Sequence, residues 1–415
     1  MGAQEQKLFQ ERLSRVNTAI NMGTPDRVPV FAFFSSVIQR MYGSSYRDLY
    51  YDFEKAGQAS LAFYRDHPLC DIAMAPSCVS GRANELAGST MIDWPGRPGT
   101  KVSDYSSHQV LEHEYMLPEE YPEMLDDFTG FMLRKYIPRV YKNLAGTAGL
   151  TFRPTIVLST SFLSPLYNPS MVETMQILAE IGLEDAKANT ASAKYAGLLA
   201  EMGFPGAFTG AAEAPYDILS DYFRTTVGTF TDLIEDEDYV KKACDLFADQ
   251  QIQNLQYLKD VSLPYKRVFF PLHKGMDGFM SPKQYEEIYW KPLKKIVLAL
   301  IDMGVTPYLY GEGPYNSRLE QLMDVPKGKV LYHFEQADMK RVKQTIGTVA
   351  SFCGNLSIVT MEFGTPQQVA DETKRLLDIC APGGGYLFDF DGSLENAKPE
   401  NIEILFKTLE DYGKY

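Results

Sequence analysis

Cysteine is scarce in this chain: five residues in 415, an odd number, widely spaced and without a CxxC pair. That argues against a disulfide framework and fits thiols kept reduced in a cytosol. An excess of cations is lacking too. The formal net charge is −14, and a nucleic-acid or anionic-membrane partner would need clustered Lys and Arg to neutralise phosphates. No stretch approaches the roughly 20 apolar residues that span a bilayer, and the first residues, Met-Gly-Ala-Gln-Glu-Gln-Lys, lack the basic-then-apolar pattern of a signal peptide. A soluble, cytoplasmic protein with small-molecule and protein partners is expected, its oligomeric state left open. Neither GxGxxG nor GxxxxGK[ST] occurs, which argues against a dinucleotide site or a P-loop. Gly383-Gly384-Gly385 reads as a tight helix-to-strand turn.

What remains is ordinary globular composition, 45% hydrophobic and 23% charged, with no low-complexity segment. After an amphipathic helix at the N-terminus (Leu8, Leu13, Val16, Ile20), short apolar runs recur at residues 27–33, 71–76, 204–210, 267–273, 306–311, 330–334, 350–353 and 386–390. Helical patterns at 282–303, 338–346 and 367–379 alternate with the later runs. Strand followed by helix, repeated, predicts parallel strands with crossover helices. Eight such strands give an α/β fold, a (β/α)8 TIM barrel formed as a single domain over the whole chain. A ninth candidate at 155–159 is read as an apolar insertion before a helix at 172–202. Residues 78–150, rich in Gly, Pro and acidic side chains, read as a long insertion over the barrel mouth.

In such a barrel the groups that meet are those at the C-terminal strand ends. Reading each run to its end places Glu213, His273, Glu312, and His333 with Glu335 there. Two imidazoles and a carboxylate around an open position form a ligand set that catalytic zinc accepts, so Glu312, His333 and His273 are the candidate metal ligands, with Cys353 in reserve. The alternative is that both histidines are hydrogen-bonded structural groups and Glu312 caps a helix or pairs with Arg318. Glu335 and Tyr310 are candidate catalytic groups. Asp338 reads as a helix cap, and Asp277 as either an acceptor for His273 or a cap. Phe33, Tyr308, Tyr315 and Phe388 are candidate substrate-binding residues, able to line a slot for a flat ligand or simply to fill the core.

Specific strings then carry a resemblance. Leu272-His273-Lys274-Gly275 followed by Phe279-Met280-Ser281-Pro282, Tyr289-Trp290-Lys291-Pro292, Glu312-Gly313 with Arg318-Leu319, Cys353-Gly354-Asn355-Leu356, Gly364-Thr365-Pro366 and Ala397-Lys398-Pro399-Glu400-Asn401 resemble the uroporphyrinogen decarboxylase superfamily from about Thr24 onward. Decarboxylases of that superfamily use an arginine-rich loop after the first strand, where this chain reads Phe33-Phe34-Ser35-Ser36-Val37-Ile38. An octacarboxylate substrate needs several cations. The chain is more similar to the zinc-dependent, corrinoid-linked methyltransferases. Their H-x-C and distant Cys ligands correspond here to Tyr310, Glu312 and Gly384, so a harder Glu/His set replaces sulfur and favours an oxygen-bearing substrate.

The resemblance implies zinc acting as Lewis acid on a methyl ether, with an aromatic leaving group, and a corrinoid supplied by a partner protein, since no D-x-H-x-x-G string is present. Two alternatives stay open: a metal-free decarboxylase or other lyase of the superfamily, and a non-catalytic barrel that binds a small ligand.

Overall fold

A computed structural model describes residues 1–152 and 160–415. Six parallel strands follow one another in chain order: β1 (Gly210–Ala211), β2 (Arg267–Leu272), β3 (Thr306–Pro314), β4 (Leu331–Gln336), β5 (Ser351–Cys353) and β6 (Tyr386–Leu387). Two extended segments complete the ring. Val30 bridges in parallel to Phe388 just past β6, with Phe31 N–H donating to Phe388 O and Phe388 N–H to Pro29 O. Asp71 N–H donates to Val30 O, and Ala73 bridges in parallel to Gly206 ahead of β1. Eight segments therefore close on themselves as a (β/α)8 barrel. The ninth candidate strand, at 155–159, lies outside the described residues.

The helices are α1 (Ala3–Ile20), α2 (Pro169–Glu201), α3 (Lys291–Asp302) and α4 (Pro366–Cys380), with shorter ones between. In α4, Thr365 and Gln368 satisfy each other's backbone N–H groups in a capping box and Pro366 occupies the first turn, an arrangement that stabilises a helix by about 1 kcal/mol. Its buried face, Val369, Thr373, Leu376 and Cys380, recurs at helical spacing. The three glycines ahead of β6 all have positive φ, 81°, 78° and 78°. A Cβ on Gly384 would stand 2.2 Å from Gly23 O, so this is the expected tight turn, pressed against the chain leaving α1.

Side chains alternate along each strand, so every second residue enters the barrel. Tyr308, Tyr310 and Glu312 of β3 rise beside Leu331, His333 and Glu335 of β4, in a register that pairs Tyr310 with His333 and His333 with Cys353. At the N-terminal end, α1 inserts Val16, Ala19 and Ile20 among Phe31, Ile72, Leu331 and Leu387 and closes the floor. Buried Asp71 ties it there by accepting from Arg15, Arg27 and Val30 N. At the other end, the insertion reaches the barrel: Val110 and Glu112 line the cleft at its mouth, and Tyr115 and Met116 N–H both donate to Phe223 O. Among the described residues, no helix is long and apolar enough to cross a membrane.

Candidate active site at the barrel mouth

β2 delivers His273 and β3 delivers Glu312 to a cleft of about 660 Å³, also lined by Asp221, Tyr222, Lys274 and Glu335. His273 is held from below. Its Nδ1 lies 2.5 Å from Asp221 Oδ2, and its backbone N–H, like that of Lys274, donates to the fully buried carboxyl of Asp217. Tyr289 O–H donates to the same carboxyl at 2.7 Å, and burial raises the Asp217 pKa to about 7. Asp217 and Asp221 stand one helical turn apart on the turns Pro215–Ile218 and Leu219–Arg224, so one helix face supplies both acceptors.

With Nδ1 fixed on Asp221, Nε2 of His273 faces Glu312 Oε1 at 3.6 Å. Burial alone would lower the imidazole pKa, but the bonds to Asp221 and Glu312 outweigh it and push it up to about 11. The Nε2 edge and Glu312 thus face each other across the cleft, and they would supply two of the three protein ligands usual in a catalytic zinc site. Two ligands on tetrahedral zinc at ~2.0–2.1 Å are about 3.4 Å apart, close to the separation seen. A carboxylate on the far nitrogen is also the usual support of a ligating histidine. Glu335 lies beside this pair; Tyr310 O–H donates to it at 2.5 Å and Gly313 N–H at 2.7 Å. Its pKa is raised, chiefly by burial.

The expected trio of ligands does not assemble. His333 sits one layer deeper, fully buried, with both nitrogens engaged: Nε2–H donates to Phe390 O at 2.7 Å, leaving Nδ1 to accept from Tyr308 O–H at 2.7 Å. Burial lowers its pKa to about 3. The reason is register, since His333 is level with Tyr310 and the residue of β4 that rises to the height of Glu312 is Glu335. His333 instead joins Cys353 and Asp389, whose ligand atoms all lie within 4.8 Å of one another. Asp389 Oδ1 accepts from Phe33 N and Phe390 N, while Tyr308 O–H reaches Asp389 Oδ2 at 3.3 Å and Cys353 Sγ at 3.4 Å. Among the described residues this is the one group of three side chains able to share a metal, and all three are fully buried.

The expected ring-binding residues also divide. Phe33 borders a cavity, stacked at 5.7 Å on Tyr310. Tyr308 belongs to the buried group just described; Tyr315 is buried with its hydroxyl on Leu272 O. Phe388 packs into the outer core, because Leu387 and Asp389 take the inward positions of that strand. Asp338 caps its helix through Lys340 N and Arg341 N. Asp277 accepts from Ser317; the acceptor for His273 is Asp221. The sequence signal for Asp217 and Asp221 was their spacing of four residues, one helical turn.

The family model "Uroporphyrinogen decarboxylase (URO-D)" matches residues 151–412, well over half of the chain. The chain belongs to the uroporphyrinogen decarboxylase family. A curated uroporphyrinogen decarboxylase from Azoarcus sp. (strain BH72) is 31% identical over 78 residues, which covers 19% of this chain and 22% of that protein; the chain thus spans about a fifth of that relative's length. A solved structure, a methyltransferase from Methanosarcina mazei, matches with a TM-score of 0.62 at 16% identity, covering 97% of this chain and 98% of that one. At that identity the likeness establishes the shared fold. Family membership accounts for the barrel and leaves the reaction to be argued from the side chains.

Proposed function

We propose that this member of the family is a methyltransferase: one domain that moves a methyl group from a methyl ether with an aromatic leaving group to Co(I) of a separate corrinoid protein, in the cytoplasm. The observation that carries the reading is the His273–Glu312 pair, oriented by Asp221 and open to the mouth cleft. Zinc bound by that pair would supply Lewis-acid polarisation of the ether oxygen. The surrounding residues have their own work. Asp221 fixes the imidazole, and Lys274, 3.1 Å from Asp221, offsets its charge. Glu335, with its raised pKa, is the candidate proton donor to the leaving oxygen, steered by Tyr310. The open cleft admits the corrinoid partner.

Charge argues against decarboxylation of a polyacid. Among the described residues lining the cleft, Glu112, Asp221 and Glu312 face Lys274 and the His273 imidazolium, too few free cations to hold a substrate bearing several carboxylates. The Methanosarcina mazei neighbour, itself a methyltransferase, supports the reaction class. A second reading rests on the convergence of His333, Cys353 and Asp389: a metal held there would be enclosed and structural, because none of the three is exposed.

The test is methyl transfer from methoxybenzene-type ethers to a reduced corrinoid protein, followed by the corrinoid absorption spectrum. Turnover by the wild type and its loss in Glu312→Ala support the proposal; turnover undiminished in Glu312→Ala and His273→Ala would remove it.

A further inference from the structure

A second cavity lies apart from the mouth cleft and is larger than it. A chamber of about 830 Å³ opens through the barrel wall between the segment that follows Ala73 and the one that follows Gly206, with α2 as its outer side. Its origin is a failure of pairing. Ala73 and Gly206 share a single bridge, after which the backbone of the first segment turns to other partners: Met74 N–H donates to Tyr64 O–H and Cys78 N–H to Ser192 Oγ. The two segments then diverge. Where α2 crosses the gap it presents Ala193, Ala196 and Ala200, three or four residues apart and so on one face, and none is large enough to fill it.

The inner wall consists of rings. Phe33, Phe208 and Phe269 point into the barrel, with centroids 5.2–6.0 Å apart, yet each keeps partial exposure, and each lines the chamber and not the mouth cleft. Behind them, Phe33 and Phe269 lie against Tyr310 at 5.7 and 5.9 Å, the residue whose hydroxyl holds Glu335 in the mouth. These rings, with Tyr310 behind them, separate the chamber from the candidate chemistry. Among the described residues lining the chamber none is charged; its polar groups are amides and hydroxyls such as Asn189, Ser192, Thr209 and Tyr265.

We propose that this chamber binds a small, uncharged aromatic molecule at a site apart from the reactive mouth. The volume is within the ~300–1,000 Å³ of small-molecule sites. Three mutually tilted rings offer faces and edges to a fourth. A carboxylate would enter with no cation among the described lining residues to pair with, which disfavours it. The site stands independently of the methyltransferase reading.

The experiment is a calorimetric titration of the full chain with methoxybenzene, methoxybenzoate and methoxycyclohexane, without metal or corrinoid protein. The variants are Ala196→Trp and Ala200→Phe, which fill the chamber from α2, and Leu183→Trp, on an exposed part of the same helix and outside the chamber. Methoxybenzene should bind the wild type and Leu183→Trp alike and about tenfold more weakly, or worse, in both filling variants. Methoxybenzoate and methoxycyclohexane should bind the wild type at least about tenfold more weakly than methoxybenzene. Equal binding by the filling variants would overturn the assignment of the chamber. Equal binding of the benzoate would overturn its selectivity against charge, and of the saturated ring its selectivity for aromatics.

Discussion

Asp71→Ala should cost this barrel about 3–5 kcal/mol, an effect far from the mouth that tests how the ring is closed. The carboxylate is fully buried and accepts from Arg15 at 2.6 Å, Arg27 at 2.6 and 2.9 Å, and Val30 N at 2.8 Å. It thereby joins α1 to the two segments that complete the barrel. Removing it leaves two guanidinium groups, 13 and 14% exposed, facing a gap, and the loss of one partner from a buried pair costs about 3–5 kcal/mol. The lower end is expected, because Arg15 keeps Asp26 and Arg27 keeps the carbonyls of Val28 and Leu69. With an unfolding entropy of roughly 2.1 cal/mol/K per residue, 415 residues give about 0.9 kcal/mol/K, so the midpoint should fall by about 3–6 °C in a thermal scan. Asp26→Ala is the control: its side chain is 65% exposed, and such pairs contribute less than about 1 kcal/mol. Equal midpoints for the two variants would refute the reasoning, since burial would then have made no difference.

Three further outcomes follow from named contacts. Tyr121 O–H donates to Asp232 at 2.6 Å, in a fully enclosed group with Arg224; Tyr121→Phe should destabilise by about 2 kcal/mol and speed amide exchange in the insertion, whereas unchanged exchange would mean the insertion is held elsewhere. The Arg139 hydrogen bonds hold the Glu120 carboxyl down at about 2 against an ordinary 4.5. A depressed carboxyl pKa gives stability that is present above 4.5 and lost as pH falls toward 2, so the difference in thermal midpoint between wild type and Glu120→Gln should shrink over that window; a constant difference would contradict the pairing. Tyr310→Phe removes the 2.5 Å donor to Glu335 and should lower kcat for methyl transfer by about 10–100-fold with KM for the ether little changed; a change confined to KM would make Tyr310 a binding residue only.

The barrel was legible because its signal is long range. Alternating apolar runs and amphipathic helices repeat along the second half, and β2 to β6 fall within or beside the expected runs. The chemistry at single positions was less so, because it depends on register. His333 and Glu335 are two residues apart on β4, one layer of the barrel; the sequence shows both near a strand end without showing which reaches the mouth. Phe388 failed for the same reason, as a shift of one residue turns a side chain from inside to outside. Asp389 was hidden because nothing in Phe388-Asp389-Phe390 marks a carboxyl that two backbone amides and a tyrosine will hold inside the core. The chamber was invisible for a further reason: it exists where two segments stop pairing, and absent hydrogen bonds leave no pattern in a sequence.

The central claim is that the reactive centre lies between His273 and Glu312. The most direct measurement is elemental analysis of protein purified without chelators, comparing wild type, Glu312→Ala, His273→Ala, Cys353→Ser and Asp389→Asn. Zinc near one equivalent, lost in the first two variants and kept in the last two, is the predicted result. Zinc kept in Glu312→Ala and lost in Cys353→Ser would move the metal into the buried group and contradict the account.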